Sequence, residues 1–233
     1  MSSSFETHGL ARLDEHERLQ HCYLTEDDHC WYLAEYRAGG GYRARGINRL
    51  IADLKCWPSA AASDPSRARQ KRAAIAAWAG ALRAAFSRRS VEQTTWIPIP
   101  PSRVRGRWDH DERLSDILRL AFGHYALDLR NLLYQAVSTP PDHCHLQRIP
   151  LGSLQDLIRL DPTMHDVRPR QRVILFDDLL TTGKHFKCCQ RRLRERWPEL
   201  RIDGLFLARR LLAQRGLPPR GPHIAHKIVD MLE

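Results

Sequence analysis

Apolar positions along this chain fall into two rhythms. Val173-Ile174-Leu175-Phe176 is an unbroken apolar run between Arg172 and Asp177, the length and flanks of a short strand buried on both faces. Beyond a loop of small residues, Phe186, Cys189, Leu193 and Trp197 recur at i, i+3, i+7 and i+11 and stop at Pro198, which is one face of a helix ended by proline. The same order occurs upstream. Thr94 to Pro100 reads as a strand closing in prolines, and the chain turns through Pro101–Arg107 into a helix marked by Leu114, Ile117, Leu118 and Ala121. Asp109 or Asp111 is placed to serve the first turn of that helix, where a negative charge suits the dipole. Ile202 and Leu205–Ala208 form a further strand, interrupted at Gly204. Apolar strands alternating with amphipathic helices imply an α/β fold, a mostly parallel sheet flanked by helices.

The first ninety residues follow a looser pattern. Cys30–Ala34 is the best strand there, and Gly39-Gly40-Gly41 breaks it as a turn or a loop over a ligand. Ile47, Leu50, Ile51 and Leu54 mark a short amphipathic helix ended by Trp57-Pro58. A Ser/Ala-rich turn then leads to a longer helix with Ile75, Trp78, Leu82 and Phe86 on one side. Between the two strand–loop–helix units, a strand is expected around Leu132–Val137. Thr139-Pro140-Pro141 then opens a loop that holds His143 and His145.

Composition narrows the setting. No apolar run reaches membrane-spanning length, and Met1-Ser2-Ser3-Ser4 opens no signal-peptide core, so a soluble cytoplasmic protein is expected, with no membrane partner. Six cysteines without a Cys-x-x-Cys pair point to reduced thiols. His21-Cys22 and His29-Cys30 match no zinc spacing. Lys and Arg number 37 against 27 Asp and Glu, a formal charge of +10. That balance steers polyanions, nucleotides and nucleic acid alike, but no nucleic-acid-binding signature accompanies it. Nucleic-acid contact and a homodimer are left open.

The loop between the 173–176 strand and its helix carries the chemistry. Thr181, Thr182 and Gly183 lack the bulk to keep a ligand from the backbone, and they sit at a helix start, where N–H groups and the dipole favour an anion. Asp177 and Asp178, at a strand end that needs no carboxylate to pack, repel phosphate but accept hydrogen bonds from sugar hydroxyls. One end of the ligand is therefore a polyol and the other a phosphate.

Apolar strand, Asp-Asp, two variable residues and Thr-Thr-Gly together resemble the phosphoribosyl-pyrophosphate motif of the type I phosphoribosyltransferases. The resemblance implies that Asp177 and Asp178 hold the ribose hydroxyls. It assigns the 5′-phosphate to Thr181, Thr182, Gly183, Lys184 and His185, with Lys184 and His185 standing where the family usually has small residues. Upstream, Pro98-Ile99-Pro100-Pro101-Ser102-Arg103 looks much like the pyrophosphate-binding loop of the ComF-like branch. On that analogy Ser102 and Arg103 bind pyrophosphate and Arg113 is a further contact. The resemblance covers roughly residues 92–210, and this chain lacks the four-cysteine ribbon common in ComF-like proteins. It implies a hood-like region at 1–90, a core at 91–213 and a tail at 214–233. The long loop bearing His143 and His145 corresponds to the family's closing lid.

The implied reaction is transfer of the phosphoribosyl group from phosphoribosyl pyrophosphate to a nucleobase-like acceptor, with release of pyrophosphate. Mg²⁺ is the implied cofactor, near Asp177 and Asp178. No residue stands out as a general base. Two other classes remain: a non-catalytic regulator or nucleic-acid-processing accessory that binds the same ligand, and a structural or DNA-binding protein.

Overall fold

The computed structural model describes residues 10–37, 46–138, 151–164 and 166–211. In chain order the described strands are β1 (Ala11–Arg12), β2 (Cys30–Arg37), β3 (Thr94–Pro98), β4 (Asp128–Leu129), β5 (Leu133–Gln135), β6 (Ile158–Leu160), β7 (Arg172–Leu180) and β8 (Arg201–Leu211). All but β5 and β6 join one sheet of order β1-β2-β8-β7-β3-β4, in which every pairing is parallel except that of β1 with β2. β5 and β6 form a separate antiparallel pair. The protein is thus α/β, with a mostly parallel mixed sheet flanked by helices. Among the described residues no helix is long and apolar enough to cross a membrane.

The helices are α1 (Glu15–Leu19), α2 (Ile47–Leu54), α3 (Pro58–Ser63), α4 (Pro65–Ala85), α5 (Arg88–Glu92), α6 (Arg113–Phe122), α7 (Leu151–Leu157) and α8 (Lys184–Arg196). Side chains alternate across β7, so two cores form. Ile174 and Phe176 face one side, where Leu50 and Leu54 of α2, Trp78 and Leu82 of α4 and Ile117 and Leu118 of α6 close over the sheet. Val173 and Leu175 face the other, against Phe186, Cys189 and Leu193 of α8 and the β5–β6 pair. Local signals start the long helix: the Asp64 side chain accepts from Ser66 N (2.8 Å) and Arg67 N (3.4 Å), and Pro65 occupies the first position.

Three elements differ from the expectation. The Ser/Ala-rich stretch before α4 is helical, as α3, because Pro58 starts a turn of good helix formers. Gly204 does not interrupt β8. A Cβ there would stand 2.9 Å from Cys30 Sγ and 3.0 Å from the Phe186 ring, so the glycine admits its neighbours while the strand runs on. β7 continues through both aspartates to Leu180, because β8 runs beside it and keeps the ladder intact, pairing Asp177 with Phe206 and Leu179 with Ala208. The strand β2 shows that the first ninety residues contribute to the main sheet, since it pairs with β8 along its length. Gly39-Gly40-Gly41, His143, His145 and the tail at 214–233 lie outside the described residues.

Candidate phosphosugar-binding cleft

From β3 the chain passes through α6 to β4 on one side of the sheet order, and from β7 it passes through α8 to β8 on the other. β3 and β7 are neighbours, so the loops leaving their carboxyl ends diverge and open a crevice, the place where α/β sheets take ligands. A cleft of about 800 Å³ occupies it. Ser102 and Arg103 line it from the β3 loop, Asp177, Asp178, Thr181, Thr182 and His185 from the β7 side, and Arg113 from the start of α6.

The two aspartates have different environments. Alternation along β7 turns Asp178 to the α2–α6 face, where Lys55 Nζ lies 2.8 Å from Oδ1. Arg113 donates to Asp178 Oδ2 through Nη2 at 2.6 Å and Nε at 3.0 Å. Arg113 also donates to Asp111 Oδ2 (2.9 Å), which Lys71 reaches at 2.7 Å while it donates to the Cys56 carbonyl. A chain of charges therefore runs Lys71–Asp111–Arg113–Asp178–Lys55. Burial opposes the charge on Asp178, but Lys55 and Arg113 outweigh it and hold its carboxyl well below the usual range. Burial first, and then the charge of Asp178, push the Asp177 carboxyl up. Among the described residues Asp177 accepts one hydrogen bond, from the Asp178 backbone N–H (2.8 Å). The expectation that the strand end packs without a carboxylate fails at Asp178, which is buried and is the counter-ion of Arg113 and Lys55. The described structure places Arg113 on the carboxylates at the cleft floor, and Asp111 serves the α6 start by accepting from Arg113 N (3.1 Å).

The Thr181–Gly183 loop is shaped by its glycine. Gly183 has φ +80 as the N-cap of α8, and a Cβ on it would lie 2.6 Å from Leu24 Cδ2. Its N-cap residue, a glycine, supplies no side-chain cap to this helix start. Tyr23 N donates to the Thr182 carbonyl at 3.0 Å, and the His21 ring bonds the Thr181 carbonyl through Nδ1. His185 lines the cleft; Lys184 is buried and lies outside its lining. Gly183→Ala combines a left-handed backbone with a collision, so a loss of about 1–2 kcal/mol from the backbone alone is expected. Thermal melting of the variant reads it as a lowered Tm, and an unchanged Tm would contradict this account of the loop.

On the opposite wall, Arg103 Nε pairs with Asp109 at 3.3 Å and its guanidinium lies 5.2 Å from the centre of the Trp57 ring. Arg105 binds Asp161 and donates to the Asn131 carbonyl (2.8 Å), and Arg107 donates to Asp109 (2.9 Å). All three arginines thus have a carboxylate partner within the fold, and Arg103 and Arg105 also line the cleft. Asp109, a candidate for the α6 first turn, is instead a partner of Arg103 and Arg107.

Sequence reasoning did not single out Lys55 as a site residue, although it immediately follows the amphipathic α2. It also missed Trp57, Tyr36, Arg210 and Gln20, which line the same cleft. No periodicity flags a polar residue whose partner comes from a distant strand. Among the described residues no group of three or more His, Cys, Asp or Glu side chains is arranged to hold a metal ion. Asp177 is the cleft carboxylate with no ion-pair partner among them, and it fits Mg²⁺ as a single protein oxygen beside phosphate ligands. No protein-family model matches the chain, and no curated protein or solved structure matches it significantly.

Proposed function

We propose that the cleft binds phosphoribosyl pyrophosphate and that the protein is a phosphoribosyltransferase of the type I kind. One observation carries this reading: an acidic strand end, an uncapped helix start behind Thr-Thr-Gly, and an Arg103-bearing loop meet in one cleft at the switch point of the sheet. Asp177 accepts from the ribose hydroxyls. Asp178, whose two oxygens already accept from Lys55 and Arg113, holds those cations beside the sugar. The 5′-phosphate lies against Thr181, Thr182, Gly183 and the first turn of α8, and pyrophosphate against Ser102 and Arg103.

In the reaction an acceptor atom forms a bond to ribose C1 while the bond from C1 to the pyrophosphate oxygen breaks. The electron pair leaves on pyrophosphate, and the acceptor's proton passes to solvent. Charge grows on the leaving group, so fixed cations such as Arg103 lower the barrier by being in place beforehand. Mg²⁺, when bound with the pyrophosphate, neutralises that charge further. A nucleobase-like acceptor and a cytoplasmic setting complete the proposal. A second reading, a non-catalytic protein that binds the same ligand, is favoured by the engagement of both Asp178 oxygens.

Calorimetric titration with phosphoribosyl pyrophosphate, with and without Mg²⁺, tests the ligand, and pyrophosphate release in the presence of nucleobases then separates the two readings. The two walls should also separate by mutation. Thr182→Val is expected to weaken ribose 5-phosphate more than pyrophosphate, and Arg103→Ala the reverse, each by about 0.5–3 kcal/mol. Equal losses for both ligands in both variants would mean one undifferentiated anion patch.

A further inference from the structure

The loop that carries Thr181–Gly183 is held from behind by the amino-terminal segment. Its carbonyls at Thr181 and Thr182 are taken by His21 Nδ1 and by Tyr23 N–H. In a planar trans peptide the N–H points opposite to its carbonyl. Fixing these two carbonyls toward the segment therefore turns the N–H groups of Thr182 and Gly183 the other way. His21 is fully buried and is absent from the cleft wall, whereas Thr181 and Thr182 line it. The free direction is the cleft.

Three further contacts keep the segment in place. Leu24 fills the space beside Gly183. Asp28 accepts from Lys187 and from Gln190 (3.0 Å), both on α8, and from Thr25 N (2.7 Å). The segment is thus tied to the helix behind the loop through the buried side chains of Asp28, Lys187 and Gln190. A carbonyl only accepts, so His21 carries its proton on Nδ1; Nε2 is a buried atom with no hydrogen-bond partner among the described residues. Burial also pushes the His21 pKa down, which keeps the ring neutral.

We infer that His21 is a positioning residue: its Nδ1–H, bonded to the Thr181 carbonyl, aims the Thr182 and Gly183 N–H groups at the 5′-phosphate of a bound sugar phosphate. The inference rests on the phosphosugar reading of the cleft. It assigns to a residue outside the cleft a share in phosphate affinity that pyrophosphate, on the other wall, does not feel.

The test titrates ribose 5-phosphate into isotopically labelled protein and follows the Thr182 and Gly183 amide resonances, with inorganic pyrophosphate as the control ligand. In the wild type both amides shift. His21→Phe keeps the ring shape without the donor, and its affinity for ribose 5-phosphate is expected to fall about tenfold, the weight of one hydrogen bond, with pyrophosphate unchanged. His21→Asn places an amide N–H at the Nδ1 position and is expected to restore affinity to within about threefold. If His21→Phe does not fold, His21→Gln, whose amide extends to the Nε2 position, takes its place. Wild-type affinity in the Phe or Gln variant, or an Asn variant no better than them, overturns the inference alone. A wild type whose two amides do not respond overturns it together with the reading on which it rests.

Discussion

Asp178→Asn is expected to cost about 1.5–3 kcal/mol of folding stability, because it leaves the partly buried Arg113 with one of its two carboxylate partners removed. Arg113 donates twice to Asp178, and Lys55 loses its partner as well. Urea unfolding at neutral pH reads the loss as a lower midpoint. The pH dependence has a definite sign. The folded-state carboxyl of Asp178 is depressed by Lys55 and Arg113, so its stabilisation is fully present above the unfolded value of about 3.9 and is lost as pH falls from there through the folded value. The gap between wild type and variant should therefore be constant at neutral pH and narrow below about pH 4. An Asp178→Asn protein as stable as wild type would show that the charge chain is not a structural element.

Asp177→Asn is expected to act in the opposite sense. Burial and the Asp178 charge raise its folded-state carboxyl, so its contribution to stability is present below about pH 3.9 and is lost as pH rises through the folded value. Removing the charge leaves stability at neutral pH equal or higher, and the Asn oxygen still accepts from Asp178 N–H. Binding should suffer instead. Each charge-assisted bond to a ribose hydroxyl is worth about 1.5–3 kcal/mol, roughly 10- to 150-fold in Kd. For the same reason, wild-type affinity for ribose 5-phosphate should rise with pH through the raised pKa of Asp177, and the variant should lack that rise. Calorimetry across pH 5–8 checks both; an Asp177→Asn protein that binds as wild type removes Asp177 from the sugar site. On these expectations the two adjacent carboxylates separate into one that holds the fold and one that serves the proposed ligand.

Much of the frame was legible because its causes are local. The run at Val173–Phe176 is too apolar and too short for anything but a buried strand, and the spacing of Phe186, Cys189 and Leu193 admits one helix face. Thr181, Thr182 and Gly183 were readable as a loop of small residues at a helix start, and the structure adds that Gly183 takes a positive φ there. The strand–loop–helix order around Ser102 and Arg103 was readable in the same way, and a parallel α/β sheet brings such loops to one end.

The rest depended on partners far apart in the chain. Asp178 finds Lys55 and Arg113, 65 residues away in the case of Arg113, and no local pattern announces an ion pair between a strand and two helices. β7 runs past its apolar core because β8 lies beside it, and Gly204 stays in its strand because Cys30 and Phe186 crowd it. The sequence by itself determined the strand cores of β2, β3, β7 and β8, the helices α2, α4, α6 and α8 and the small-residue loop, since these follow from periodicity and backbone freedom within a few residues. Only the tertiary structure decided which aspartate is ion-paired and which is not among the described residues, and that His21 stands behind the Thr181–Gly183 loop. Charge compensation and hydrogen-bond direction are set by which elements pack together, and packing joins residues that the chain keeps apart.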